Sequence, residues 1–229
     1  MLTKRRLPSS LGVSSPPGIL ARGPWPAARV AASWRDEQFV PGAEREAAAD
    51  EAIAALADRG SPAHDGVAAR LVGWRDGAEG LQLELQPMRW ALRLVEGAAD
   101  ALSVLCVVRD ASGRWLAGRR ADWVATWAGR WALGAGGSVE VGEDPVHTLT
   151  RELAEEWSLV PDRLAVEALV RSPGGMAMLV GQAWLDADEP EVARDPEHDA
   201  HAWWPADVEE WPEEAHPALR TMARLLDAR

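Results

Sequence analysis

The sequence predicts an α/β chain, in which strands pack against amphipathic helices and a small α+β extension precedes the main domain. Three observations predict it. Val146, Leu149, Leu153 and Trp157 recur at helical spacing behind the N-cap pair Asp144-Pro145. Short apolar runs such as Leu102–Arg109 and Leu164–Val170 lie on either side of that helix and read as strands. Leu219, Met222, Leu225 and Leu226 then form a second helical stripe over Pro217–Ala228.

The elements follow in chain order. Residues 1–30 hold five Lys or Arg, five Pro and four Ser, with no acid. That composition predicts a disordered tail over residues 1–40, or a start codon placed too far upstream. It also resembles a transit peptide, but the Ala- and Arg-rich, lysine-poor remainder points to a bacterial chain, which needs none. Residues 41–98 read as the small α+β extension. A helix spans Gly42–Asp58 between Pro41 and Gly60. Strands follow over 69–95, where Leu81, Leu83 and Leu85 alternate, as do Met88, Trp90, Leu92 and Leu94, with Asp76-Gly77 as the turn. Residues 99–229 read as the main domain. Its strands are Leu102–Arg109, Arg114–Arg120, Trp131–Gly134, Leu164–Val170, Met176–Leu185 and Ala200–Trp204.

Charge and composition exclude several function classes. Net charge is −12, and without the five bases of the first thirty residues it is about −17, which argues against gripping duplex nucleic acid through its phosphates. The single cysteine, Cys106, excludes a disulfide framework and a cysteine-based zinc site, and it sits in an apolar run as a small buried residue. No apolar run reaches the length of a membrane span. A cytoplasmic protein is expected.

One segment is poorly explained by local stability. On the helix after Asp144, Glu152, Glu155 and Glu156 fall along one side of the apolar stripe. Like charges three or four residues apart destabilise a helix, and the last turns of a helix disfavour anions. Arg151 can pair with Glu155, but one arginine does not neutralise three carboxylates. A solvated acidic face is one reading. The other is a cation site, because hard divalent ions take oxygen ligands and bind carboxylates together with substrate phosphates. The glycines Gly136 and Gly137 ahead of the helix allow close backbone approach.

The spacing of Gly137, Glu143 and the Arg151-Glu152-Leu153-x-Glu155-Glu156 block resembles the Nudix box, over residues 137–159. Ser158 stands where the family has glycine, followed by the apolar Leu159. If that position needs positive φ, serine raises the cost of the helix exit by about 1 kcal/mol. The resemblance covers about residues 99–229 and implies the Nudix α/β/α sandwich around a mixed β-sheet.

The resemblance also implies the chemistry. Nudix enzymes hydrolyse a nucleoside diphosphate linked to another group, using Mg²⁺ or Mn²⁺. Glu152, Glu155 and Glu156 become the metal carboxylates, with the Gly136 carbonyl as a further ligand. Arg151 orients the glutamates, Gly137 belongs to the box loop, and Glu143 packs at the helix start or binds an outer metal. The general base is either Glu152 or Glu197, the latter just before the strand at 200–204. His198 and His201 are weaker candidates, read as exposed histidines. Arg119, Arg120 and Arg130 lie near the expected pocket mouth and are candidates to hold a substrate phosphate; pairing with nearby acids is the alternative. Trp127 is a candidate to stack on a base or sugar, whereas Trp131 is assigned to the core.

The linked group is less legible. The chain has no Tyr, so it lacks the tyrosine of many dinucleoside polyphosphate hydrolases, and it lacks the four-cysteine zinc element of the NADH-hydrolysing subgroup. Pro173 lies near the proline of ADP-ribose hydrolases, and residues 64–71 faintly resemble part of the UDP-sugar diphosphatases. A nucleotide sugar or ADP-ribose is the best reading. The alternatives are a nucleoside triphosphate pyrophosphohydrolase and a catalytically silent ligand-sensing module. A homodimer is possible for this family, with the extension as contact or lid.

Overall fold

The fold is taken from a computed structural model that describes residues 18–61 and 65–227. Among the described residues, ten strands form two sheets that pack together with three α-helices. The larger sheet has seven strands. β1 (Gly18–Pro26) lies at one edge, followed by β8 (Arg163–Arg171), β9 (Ala177–Trp184), β5 (Leu102–Arg109), β6 (Trp115–Arg120) and β10 (His198–Trp204), and the short β7 (Trp131–Leu133) also pairs with β6. The sheet is mixed, because β5 and β9 run parallel and its other pairings are antiparallel. The smaller sheet has the order β2 (Val30–Trp34), β4 (Gly80–Arg89), β3 (Val67–Gly77).

Both faces of the large sheet are covered. On one face, Leu149, Leu153 and Trp157 of α2 (Pro145–Trp157) join Leu81, Leu83 and Leu85 of β4 in a single core with β5, β8 and β9. On the other, Leu219, Ala223 and Leu226 of α3 (Pro217–Asp227) pack with Trp115, Trp204 and Trp211. This is the α/β/α sandwich with a mixed sheet. The helix α1 (Ala43–Asp58) closes a third, smaller cluster through Ala49 against Met88 and Leu92. Cys106 and Trp131 take the packing roles read from the sequence, Cys106 fully buried and Trp131 against the second core. No helix among the described residues is long and apolar enough to cross a membrane.

The sequence reading needs three corrections. Residues 18–34 do not behave as a tail: β1 pairs with β8 and β2 with β4, burying Ala21, Trp25 and Val30. Pro24 and Pro26 disguised β1, yet an edge strand tolerates proline because its outer N–H groups need no partner. The rest of the tail, residues 1–17, lies outside the described residues. Second, Trp90–Leu94 is a 3-10 turn rather than the continuation of β4. Its alternating apolar residues satisfied a strand pattern by chance, and Ala91 and Leu92 are both buried. Third, the β3–β4 turn falls at residues 78 and 79, between the paired Gly77 and Gly80, two residues later than expected.

Ser158 adopts φ +54° at the C-cap of α2, the left-handed conformation expected to favour glycine. Its side chain is exposed, so a smaller residue loses no packing. Ser158→Gly is expected to stabilise the protein by about 1 kcal/mol and to raise Tm by about 2–4 °C, measured by calorimetry or by urea unfolding.

Candidate functional site

The site begins with the fixing of α2. The Asp144 carboxylate accepts a hydrogen bond from the Val146 N–H at 2.8 Å, and Pro145 occupies the first helical position. At the far end, the Trp157 indole N–H donates to the Gly134 carbonyl at 3.0 Å. Gly134 has φ +60°, and a Cβ there would lie 1.8 Å from the Cys106 carbonyl oxygen, so only glycine lets the loop approach β5 this closely. The loop is stitched to both sheets. Val104 N–H donates to Gly137 O at 2.9 Å and Ala69 N–H to Val139 O at 2.9 Å. The carboxylates on α2 therefore face a loop with little freedom to move.

Two glutamates are pressed against that loop. Glu156 is 5% exposed and accepts a hydrogen bond from the Gly136 N–H at 3.0 Å. Glu152 lies beneath Gly137 so closely that a Cβ there would sit 2.1 Å from its Oε1. Arg151 gathers the remaining charge. Its guanidinium contacts Glu143 at 2.9 Å, Glu152 at 2.9 Å and Glu155 at 2.8 Å. It does not reach Glu156. The nearest basic atom to Glu156 is His198 Nε2 at 3.7 Å, and burial lowers the pKa of His198 although Asp195 partly offsets it.

The protonation equilibria follow from this placement. Burial raises Glu156 to about 8, with the Gly136 hydrogen bond and Arg120 opposing the shift. Burial likewise raises Glu152 to about 7, against the attraction of Arg151. Glu143 is different: burial again favours its neutral form, but hydrogen bonds from Arg151, Thr148 and the Glu140 backbone together hold it below the usual range.

The structure brings Gly136, Glu152, Glu155, Glu156, Glu197 and Arg120 to the wall of one cleft of about 260 Å³. Gly137 and Asp195 also line it. Arg151 and Glu143 are not among the lining residues and brace α2 from behind. Glu197 arrives on the turn before β10, where its N–H donates to Asp195 and its carboxylate meets Arg120 at 2.9 Å.

Other candidates are placed elsewhere. Arg119 pairs with Asp199 at 3.2 Å, and Arg130 is exposed at the start of β7; neither lines the cleft. Trp127 is 39% exposed and meets the His216 ring edge-on at 5.4 Å; it is not among the lining residues, although Thr126 beside it is. Trp127 has φ +58°, and Trp123 of the same loop lines the cleft. His198 is buried at 2% rather than exposed, with its ring 4.5 Å from that of Trp157. His201 stays exposed. Sequence reasoning missed Trp90, Arg93 and Trp123 on the cleft wall. The first two were hidden by the strand reading of their segment. Trp123 carried the same signal as Trp127, a tryptophan in the loop between β6 and β7.

The donor set suits a hard divalent cation, since the titratable groups lining the cleft are mostly carboxylates. Burial raises the pKa of Glu152 and Glu156 despite the opposing pull of Arg151 and Arg120. As the side chains stand, no three His, Cys, Asp or Glu among the described residues are gathered closely enough to cage a metal. Glu155 is 58% exposed and paired with Arg151, while Glu156 is buried against the Gly136 N–H.

A pH dependence of stability follows from Glu152 and Glu156. Their folded pKa values lie above the ordinary carboxyl value, so the folded state binds more protons than the unfolded state as pH rises towards 8. These groups therefore contribute less stability as pH increases through that window. Through this window unfolded His198 loses its remaining charge, which opposes the trend only weakly because its folded pKa is lowered and little of the unfolded-state charge is left. Protein stripped of metal with EDTA is expected to lose about 2 kcal/mol of unfolding free energy between pH 6.5 and 8, measured by urea titration.

The NUDIX domain model matches residues 100–226. Among solved structures, DR0079 from Deinococcus radiodurans is 22% identical at a TM-score of 0.50, covering 69% of this chain and 98% of its own. The MutT protein from Methanosarcina mazei Go1 is 23% identical at 0.43, covering 56% and 96%. The NUDIX domain of Shewanella oneidensis NrtR, solved with ADP ribose, is 23% identical at 0.43, covering 54% and 86%. No curated protein sequence matches. The family model spans more than half of the chain and contains the whole box, and this chain belongs to the Nudix family.

Proposed function

We propose that this Nudix-family hydrolase cleaves the diphosphate bridge of a small nucleoside diphosphate derivative, a nucleotide sugar or ADP-ribose, with Mg²⁺ or Mn²⁺ as cofactor. The observation that carries the reading is the buried Glu156 with the half-buried Glu152, sharing one cleft with Glu155, Asp195 and Glu197 beneath a glycine loop. A protein that used these groups only as a solvated acidic face would leave them in water, where their repulsion is screened. Burying them costs free energy that a bound cation offsets.

Glu152, Glu155 and Glu156 would hold the ion, with the Gly136 carbonyl beside them. A divalent ion in such a site neutralises phosphate oxygens and acidifies water. The protein's own groups supply placement. Arg151 fixes Glu152 and Glu155 relative to Glu143. Arg120 faces the same cleft and is a cationic partner for a phosphate oxygen, at the expense of its pairing with Glu197. That exchange would release the Glu197 carboxylate to accept a proton from the attacking water. Glu152, with its pKa near neutrality, is the competing base.

Glu156→Gln is expected to lower kcat by about 10³-fold or more while leaving the fold intact, because a group that stabilises transition-state charge contributes several kcal/mol. The assay is Mg²⁺-dependent phosphate release, with phosphatase added, over nucleotide sugars, ADP-ribose, dinucleotides and nucleoside triphosphates. Pyrophosphate release with a preference for triphosphates would instead mark a triphosphate pyrophosphohydrolase, and binding without turnover a sensing module. Single-turnover rates of Glu197→Gln and Glu152→Gln at saturating Mg²⁺ locate the base: the variant that loses about 10²-fold or more with ion binding retained identifies it.

A further inference from the structure

One wall of the carboxylate cleft comes from outside residues 100–226. The 3-10 turn Trp90–Leu94 belongs to the preceding segment, and its Trp90, Arg93 and Leu94 all line the cleft. The turn is held in place by α1, whose Ala49 packs with Ala91 and Leu92.

Arg93 differs from the other arginines of this site in its partners. Arg151 is matched by three glutamates and Arg120 by Glu197. No carboxylate among the described residues lies within ion-pair distance of the Arg93 guanidinium. Its Nη1 donates to the Ser138 hydroxyl and its Nη2 points at the Met176 sulfur at 3.7 Å. A hydroxyl is neutral and a thioether is a weak acceptor, so neither balances a full charge. The residue is half-buried. Burial lowers its pKa even though Glu152 attracts it from a distance.

The guanidinium is also oriented. Its Cζ lies 5.1 Å from the centroid of the Trp90 ring. The Trp90 indole N–H donates to the same Ser138 hydroxyl at 3.2 Å. Ser138 follows Gly137 and faces β5 opposite Ser103, so one hydroxyl ties the turn to the glycine loop above Glu152. A planar cation with five donors, two of them engaged, is thus fixed at the end of the cleft that also holds the buried carboxylates.

We propose that Arg93, held by Trp90 and Ser138, binds a phosphate oxygen of the ligand, so that the segment before the Nudix domain completes the diphosphate site. The inference rests on reading the cleft as a diphosphate site. It assigns affinity for the phosphate-bearing part of the ligand to a residue that the Nudix box does not contain. It also accounts for the missing acid: a carboxylate at this position would compete with the ligand.

The test is calorimetric binding of inorganic pyrophosphate and ADP to the full chain, with Ca²⁺ in place of Mg²⁺ to suppress turnover. Arg93→Gln is expected to weaken both ligands by about tenfold or more, the loss of a charge-assisted hydrogen bond. Arg93→Lys, which keeps the charge but not the fork, is expected to recover part of the affinity. Thermal unfolding of each variant checks the fold. Should the glutamine variant unfold, the lysine variant decides alone: weakened pyrophosphate binding at unchanged Tm supports the inference, and unchanged binding overturns it. Wild-type protein that binds neither probe, or a folded Arg93→Gln that binds both as tightly as wild type, also overturns it. Hydrolysis is scored separately. Arg93-dependent binding without cleavage of any compound in the panel defeats the proposed activity and leaves this inference standing. Cleavage with unchanged KM in the folded variant does the reverse.

Discussion

The carboxylates of Glu152 and Glu156 are pressed against the Gly136–Gly137 loop, and much of the structure around them serves that contact. Two negative groups on adjacent turns, both largely removed from water, oppose folding. Arg151 relieves part of the repulsion by contacting Glu143, Glu152 and Glu155, but it leaves Glu156 with a backbone N–H and a neutral histidine. A protein could remove this burden by replacing one glutamate. Retaining it makes physical sense where a positive ligand supplies the missing charge.

Holding such a contact requires a stiff frame. The cap at Asp144 fixes one end of α2 and the Trp157–Gly134 hydrogen bond fixes the other. The glycine loop is bound to β5 on one side and to β3 on the other, so the small sheet and the large sheet both set its position. The β3–β4 hairpin is therefore part of the support of the site, with Leu81, Leu83 and Leu85 in the same core as Leu149 and Leu153 of α2. The seat of His198 also depends on a small neighbour, because a Cβ on Gly118 would lie 2.5 Å from its ring and 2.6 Å from that of Trp157.

Residues whose role is set by local spacing were legible in the sequence. The α2 helix, its cap, its apolar stripe and the left-handed Ser158 all follow from neighbours within a turn or two. The strands β5, β8 and β9 were legible because each is a mostly apolar run between turn residues. Features that depend on distant partners were not. β1 is a strand because β8 offers it an edge, which a composition count dominated by Pro and Arg does not reveal. Trp90–Leu94 alternates like a strand, yet packing on α1 winds it into a 3-10 turn and carries Arg93 into the cleft. Glu197 and Arg120 both line the cleft, and their mutual ion pair depends on the β6–β10 pairing. Trp127 and Trp123 sit in one loop with the same local signal, and only backbone geometry separates them.

The central claim is that the Glu152–Glu156 pair is a divalent cation site. Calorimetric titration of the full chain with Mn²⁺ and Mg²⁺ at pH 7, repeated in two buffers of different ionisation enthalpy, tests it most directly. Binding in the micromolar to millimolar range with net release of protons is the predicted result, since an incoming cation displaces protons from carboxyls whose pKa values burial has raised. No heat of binding at millimolar concentration, or binding that survives unchanged when Glu152 and Glu156 are both replaced by glutamine, would contradict it.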